Sequence, residues 1–123
     1  MENQKITSSK EVTPKIIEAW QKENSRGIFE IRVDSDMLLH EDKKTKEKGY
    51  VKKVGWVRKP TRVEIGASMT MHPGNALGQK EELLRDCWLG GDIELLDDDD
   101  YYLGVLSTFG EIMEVRNAEI KKL

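Results

Sequence analysis

The pattern of apolar and polar positions changes its period several times along the chain, and each change marks a predicted element. The first helical pattern carries apolar side chains at Ile16, Ile17 and Trp20. Thr13 followed by Pro14 is typical of a helix start, because threonine caps the first turn and proline has no N–H to leave unsatisfied. The pattern predicts a helix that begins here and ends between Asn24 and Gly27.

Residues 28–34 change to strict alternation, which is the period of a half-buried strand. One face carries Ile28, Glu30, Arg32 and Asp34, and the other face carries Phe29, Ile31 and Val33. A densely charged stretch at residues 40–49 then predicts an exposed hairpin loop of unusual length. Residues 50–57 form the predicted return strand, in which Gly55 breaks the alternation and indicates a bulge.

Two helical patterns follow the hairpin. Thr61 and Glu64 match the capping box that starts a helix, since each side chain satisfies the backbone N–H of the other residue. The apolar positions of this helix are Val63, Ala67, Met69 and Met71. A second helix is predicted over residues 76–88, with Trp88 as a core residue at its end. Gly90 and Gly91 stop it, one of them in the left-handed conformation of a helix C-terminus.

A last helical region is predicted over residues 98–121. Its apolar face consists of Val105, Leu106, Phe109, Ile112, Met113 and Ile120. The order of all these patterns predicts an α+β fold, with an N-terminal helix, a β-hairpin with a long charged loop, and three or four C-terminal helices. Residues 1–12 are polar and predict a flexible tail, which leaves residues 13–123 as a single domain.

Composition and charge exclude several classes of function. The chain is 35% charged with a net charge of −3, which argues against a protein that coats nucleic acid through bulk charge. Its single cysteine excludes an internal disulfide and favours a reducing cytoplasm. No apolar run approaches the roughly 20 residues of a membrane helix, so we expect no membrane association.

The four aspartates at residues 97–100 are the first candidate for chemistry. A calcium loop of the EF-hand type needs ligands at alternate positions and a glycine at the turn, and this run offers neither. One aspartate as a helix cap and others in the first turn explain the run better, because the positive end of the helix dipole favours them. A magnesium-dependent enzyme that uses these carboxylates stays open as an alternative.

A catalytic cysteine is the second candidate. Cys87 would need a base such as His40 or His72 beside it, and the sequence places neither there. A lone cysteine at the end of an apolar helix face is typical of a small buried side chain. Two histidines and one cysteine also lack zinc-ligand spacing. We therefore predict no catalytic residue, no metal and no cofactor.

The basic stretch at residues 50–62 is the third candidate. It interleaves cationic and aromatic side chains at Lys52, Lys53, Trp56, Arg58, Lys59 and Arg62. Such a strand is a plausible surface for single-stranded nucleic acid, because bases stack on aromatic rings while cations hold the phosphates. The net acidity of the chain favours the alternative of a solvated strand face with long aliphatic stems.

Three segments in this order resemble small proteins of bacteriophage and prophage tail modules, of the tail assembly chaperone type. They are "GWVRKPTRVEIGAS", "KEELLRDCWLGGD" and "DDDDYYLGVLSTFGEIMEV", and the likeness covers roughly residues 50–123. The resemblance implies a non-enzymatic protein that binds the tape measure protein and helps to recruit tail tube subunits. The residues expected to bind such a partner are Met69, Met71, Phe109, Ile112 and Met113. Self-association is the other way in which their apolar surface could be covered.

Overall fold

The computed structural model describes residues 6–41, 43–44, 48–113 and 118–123. Their order is a short 3₁₀-helix (Ser9–Glu11), α1 (Pro14–Glu23), β1 (Ile28–Glu41), β2 (Lys48–Arg58), α2 (Arg62–Met71), α3 (Ala76–Cys87), β3 (Trp88–Gly91), α4 (Glu94–Asp97) and α5 (Asp99–Glu111). The predicted α+β class is therefore confirmed, as are the N-terminal helix, the hairpin and the C-terminal helices.

The starts of three helices follow from capping residues in the sequence. The Thr13 side chain accepts a hydrogen bond from the Ile16 amide at 3.3 Å, and Pro14 occupies the first turn of α1. Thr61 and Glu64 form the predicted capping box at the start of α2. At α5, the Asp98 side chain accepts a hydrogen bond from the Asp100 amide at 2.9 Å. The aspartate run is thus a helix start, as predicted.

The hairpin contains longer strands than the charge pattern predicted. β1 and β2 are antiparallel, and their pairing continues through His40 with Gly49 and Glu41 with Lys48. The charged loop is consequently shorter than residues 40–49, since those four positions belong to the ladder. The register is irregular between Asp34 and Leu38 and again between Leu38 and His40. Residues 42 and 45–47 lie outside the described residues.

The C-terminal part of the sheet differs from the prediction. Trp88 to Gly91 form β3, which pairs with β2, where the sequence predicted only the end of a helix. α3 stops at Cys87, and Gly91 has a φ of +138° within the strand, away from any helix C-terminus. The last helix, α5, ends at Glu111, and Ile120 is fully exposed at 101%, so the prediction of a helix through residue 121 is wrong.

Gly55 does not form the predicted bulge. It pairs regularly with Ile31 in the β1–β2 ladder. A Cβ atom at this position would lie 2.2 Å from the Trp88 ring, so the missing side chain makes room for the indole. Trp88 is half-buried against the core, which is less complete burial than the sequence predicted.

Residues 6–12 do not form the flexible tail that the sequence predicted. The Ser9 amide and hydroxyl donate to the Asp92 carboxylate at 2.7 and 2.9 Å, and the Ile93 amide donates to the Thr7 carbonyl at 3.0 Å. Burial raises the pKa of Asp92, but the hydrogen bonds from Ser9 and Val54 outweigh it and hold the pKa below its usual value. The Asp92 carboxylate accepts hydrogen bonds from Ser9 and also from the Val54 amide of β2. It therefore links the N-terminal segment to the sheet.

The hydrophobic core lies between one face of the sheet and the C-terminal helices. It is built from Ile31, Val57, Leu83, Leu84, Cys87, Leu95, Val105, Leu106 and Phe109. On the opposite face of the sheet, Trp56 lies against Trp20 of α1 with ring centroids 6.2 Å apart. α3, α4 and α5 therefore fill one side, and α1 covers part of the other.

Candidate partner-binding surface

α2 exposes nearly its whole length, and only Ser68 among its residues is buried. Val63 is 77% exposed, Met69 56% and Met71 63%. Ile65 of α2 and Leu77 at the start of α3 are also exposed, at 38% and 53%. We call these five residues, Val63, Ile65, Met69, Met71 and Leu77, the α2 surface.

Ile65, Met69 and Met71 of the α2 surface lie on a segment without charge, whereas Val63 lies between Arg62 and Glu64. Residues 65–71 contain no charged side chain, in a chain that is 35% charged. Solvated helix faces normally carry charged residues, and exposed clusters of large apolar residues mark interaction sites. A Cβ atom placed on Gly66 would meet nothing within 4 Å, so another chain could approach the helix backbone closely there.

α2 is fixed to the sheet by an ion pair at its first turn. The two terminal nitrogens of Arg58 donate to the two carboxylate oxygens of Glu64 at 2.7 and 2.6 Å. Arg58 also donates to the Asp86 carbonyl of α3 at 2.9 Å. One guanidinium thereby connects β2, α2 and α3, and it holds the α2 surface in place without covering it.

The Arg58–Glu64 pair predicts an acid-sensitive contribution to stability. Hydrogen bonds from Arg58 lower the pKa of Glu64 from 4.5 to about 2. Since the folded pKa is the lower one, the contribution is complete above pH 4.5 and is lost as the pH falls to about 2.

Replacing Glu64 with glutamine should therefore lower the free energy of unfolding by roughly 2–3 kcal/mol at pH 7. Urea denaturation of the wild type and of Glu64→Gln at several pH values measures both effects. We expect the difference between the two proteins to shrink below pH 4.5. A difference that stays constant down to pH 2 would show that the charge of Glu64 contributes nothing.

The five residues predicted to bind a partner do not share one surface. Met69 and Met71 are exposed on α2. Ile112 and Met113 are half-buried against the core, and Phe109 is 0% exposed. The assignment of Phe109 is wrong, because the helical stripe that contains it faces the core and not the solvent.

The basic stretch at residues 50–62 does not form a surface on which nucleic-acid bases could stack. Trp56 is only 7% exposed, and strand alternation places Lys53 on the opposite face of the sheet. The cations of the strand have acidic partners: Lys52 pairs with Asp34, Lys53 with Glu94 and Arg58 with Glu64. Lys59 and Arg62 lie past this face, at the start of α2, so the arrangement needed for stacked bases is not formed.

Cys87 lies in the core and is not positioned as a nucleophile. Its side chain is 0% exposed, and burial raises the pKa of the thiol to about 12. The thiolate, which is the reactive form, is therefore disfavoured at neutral pH. His72 instead lies 3.4 Å from Glu82. Among the described residues, no group of three His, Cys, Asp or Glu could hold a metal ion.

An apolar groove of about 520 Å³ was not predicted from the sequence. Its walls come from α1, β3, α4 and the N-terminal segment, and they include Ile16, Trp20, Trp88, Leu89, Ile93 and Leu96. Ile6 also lines the groove, and both Ile6 and Trp20 lie beside Gly90. Because these residues are far apart in sequence, no local pattern could have indicated the groove.

The chain was compared with models of protein families, with curated proteins and with solved structures, and it matches none of them. In the described part of the chain, no helix is both long and apolar enough to cross a membrane. The function is therefore inferred from the geometry of the α2 surface and from the sequence resemblance.

Proposed function

We propose that this protein is a non-enzymatic binding protein with the role of a phage tail assembly chaperone. It binds the tape measure protein through the α2 surface and helps to recruit tail tube subunits. The observation that supports the proposal is the exposure of Val63, Met69 and Met71 on a helix whose residues 65–71 carry no charge.

The α2 surface has the chemistry that such a partner requires. A tape measure protein is long and apolar, and it aggregates unless its apolar segments are covered. Apolar burial contributes about 25 cal/mol per Å², so each exposed apolar side chain of α2 is a source of binding free energy. Methionine adapts its shape to different partners because its side chain is unbranched and flexible. Met69 and Met71 therefore suit a surface that receives several apolar segments in turn.

The anchoring of α2 also suits a binding role. The helix is already formed and capped in the free protein, and Arg58 and Glu64 fix its direction. A preformed helix loses little conformational entropy when a partner binds, so more of the buried apolar area appears as affinity. Turnover of a substrate has no part in this mechanism.

Co-expression with a phage tape measure protein tests the proposal. The double variant Val63→Glu with Met69→Glu places two carboxylates in the α2 surface, and their desolvation should abolish the increase in partner solubility. Both positions are exposed, so the free energy of unfolding should change by less than about 1 kcal/mol.

A matched control carries the same charges elsewhere. Ser107→Glu with Thr108→Glu adds two carboxylates at exposed positions of α5 and should leave the effect on the partner intact. The proposal is wrong if the Val63 and Met69 variant still solubilises the partner. It is also wrong if the wild-type protein has no effect on any tail protein while it binds single-stranded DNA.

A further inference from the structure

The outer edge of β1 is a second surface that the proposed function does not use. The sheet order is β1-β2-β3, so β1 is an edge strand, and it runs for 14 residues. Over residues 28–34 it pairs with β2 on one side, and no backbone hydrogen bond joins these seven residues to another described segment. A long edge with open N–H and C=O groups is a template for another strand.

The hydrogen bonds of Val54 show which groups of β1 point outward. The Val54 carbonyl accepts from the Asp92 amide at 2.8 Å, and the Val54 amide donates to the Asp92 carboxylate at 2.8 Å. The backbone N–H and C=O of Val54 thus point toward β3, and those of its neighbour Gly55 point toward β1. In an antiparallel ladder, the direction of backbone groups alternates along each strand.

The direction of the Gly55 backbone groups determines which N–H and C=O groups of β1 have no partner in β2. Gly55 pairs with Ile31, so the N–H and C=O of Ile31 point toward β2. Those of Glu30, Arg32 and Asp34 then point away from the sheet, at the open edge. The side chains of these three residues are charged and alternate in sign, which gives the edge a specific electrostatic pattern.

We propose that β1 pairs with β1 of a second copy, antiparallel and centred on Ile31, to give a two-fold dimer with a continuous sheet. In this register, Glu30 of each copy lies opposite Arg32 of the other. Both residues present outward backbone groups, so they exchange two main-chain hydrogen bonds and add opposite charges on one face. On the other face, Phe29 lies opposite Val33 of the second copy, which continues the apolar face of the sheet.

The charges disfavour the neighbouring registers. A pairing centred on Arg32 sets like charges opposite each other at Arg32, and it also sets Glu30 opposite Asp34. A pairing centred on Glu30 places the Glu30 side chains of the two copies opposite each other. A pairing centred on Val33 sets Arg32 opposite Asp34, but it also sets Glu30 opposite Asp36 and extends beyond the point where the ladder becomes irregular after Asp34. Directly opposed like charges destabilise a strand pair, so the pattern selects the register centred on Ile31.

Sedimentation equilibrium of the isolated protein over a range of concentrations tests this dimer. The wild type should show a reversible equilibrium that approaches twice the chain mass. Arg32→Glu places glutamates opposite each other and should weaken association at least tenfold. The double variant Glu30→Arg with Arg32→Glu exchanges the two charges, restores the opposed pairs and should restore the dimer.

Two controls separate this interface from other effects. Lys22→Glu makes the same change of charge at an exposed position of α1 and should leave the association constant unchanged. Val63→Glu with Met69→Glu should also remain dimeric, because α2 is not part of the β1 edge. A wild type that stays monomeric at every concentration overturns the proposal, and so does a charge-exchanged variant that associates no better than Arg32→Glu.

Discussion

Replacing Phe109 with alanine should lower the free energy of unfolding by about 3–5 kcal/mol, as for other buried aromatic side chains. Phe109 is 0% exposed and lies in the core cluster with Leu84, Leu95 and Val105. Removing its ring leaves a cavity between α5 and the sheet, and closely packed interiors close such cavities only in part. Urea denaturation followed by circular dichroism measures the loss.

Met69→Ala is the matched control for Phe109→Ala. Met69 is 56% exposed, so its truncation should change the free energy of unfolding by only about 0.5 kcal/mol. The pair of variants separates a core residue from a surface residue, although the sequence pattern assigned both to one binding surface. Equal losses at the two positions would mean that the division between the core and the α2 surface is wrong.

Gly91→Ala is expected to have the second largest effect on stability, with a loss of roughly 3 kcal/mol from backbone strain and overpacking. A Cβ atom at Gly91 would lie 2.5 Å from both the Gly55 Cα and the Val54 carbonyl oxygen. The φ of +138° is also one that L side chains rarely adopt. Because the neighbouring atoms belong to the backbone, β2 and β3 would have to separate. Thermal and urea denaturation measure the effect.

The same substitution at Gly66 is expected to have the opposite effect on stability. Nothing lies within 4 Å of a Cβ atom at Gly66, and the residue is inside a helix. Alanine there should stabilise the protein by about 0.5–1 kcal/mol, since glycine is the poorer helix former. If Gly91→Ala is as stable as the wild type, the close approach of β3 to β2 is not real.

Local patterns in the sequence predicted the elements whose determinants are local. The caps at Thr13, Thr61 and Asp98 identify three helix starts, because a cap acts within one turn. The alternation in residues 28–34 identified both faces of β1 correctly, with Ile31 inward and Arg32 outward. Such signals survive folding because the same short-range contacts exist in the final structure.

Features that depend on distant residues were not predictable in this way. β3 has only four residues, and it is a strand because β2 lies beside it. The N-terminal segment is fixed by Asp92, which lies 83 residues from Ser9 in sequence. For the candidate site, periodicity identified Met69, Met71 and Phe109 as helical apolar positions, but it carries no information about which helix the core covers. Only the tertiary packing distinguishes the exposed α2 from the buried face of α5.

Hydrogen exchange of the protein, free and bound to the tape measure protein, tests the central claim most directly. If the α2 surface binds the partner, the amides of residues 65–71 should exchange more slowly in the complex, because apolar burial opposes local opening of the helix. Amides of the basic strand β2 should keep the rates of the free protein. Protection confined to β2, or a complex in which α2 exchanges as fast as in the free protein, would contradict the account.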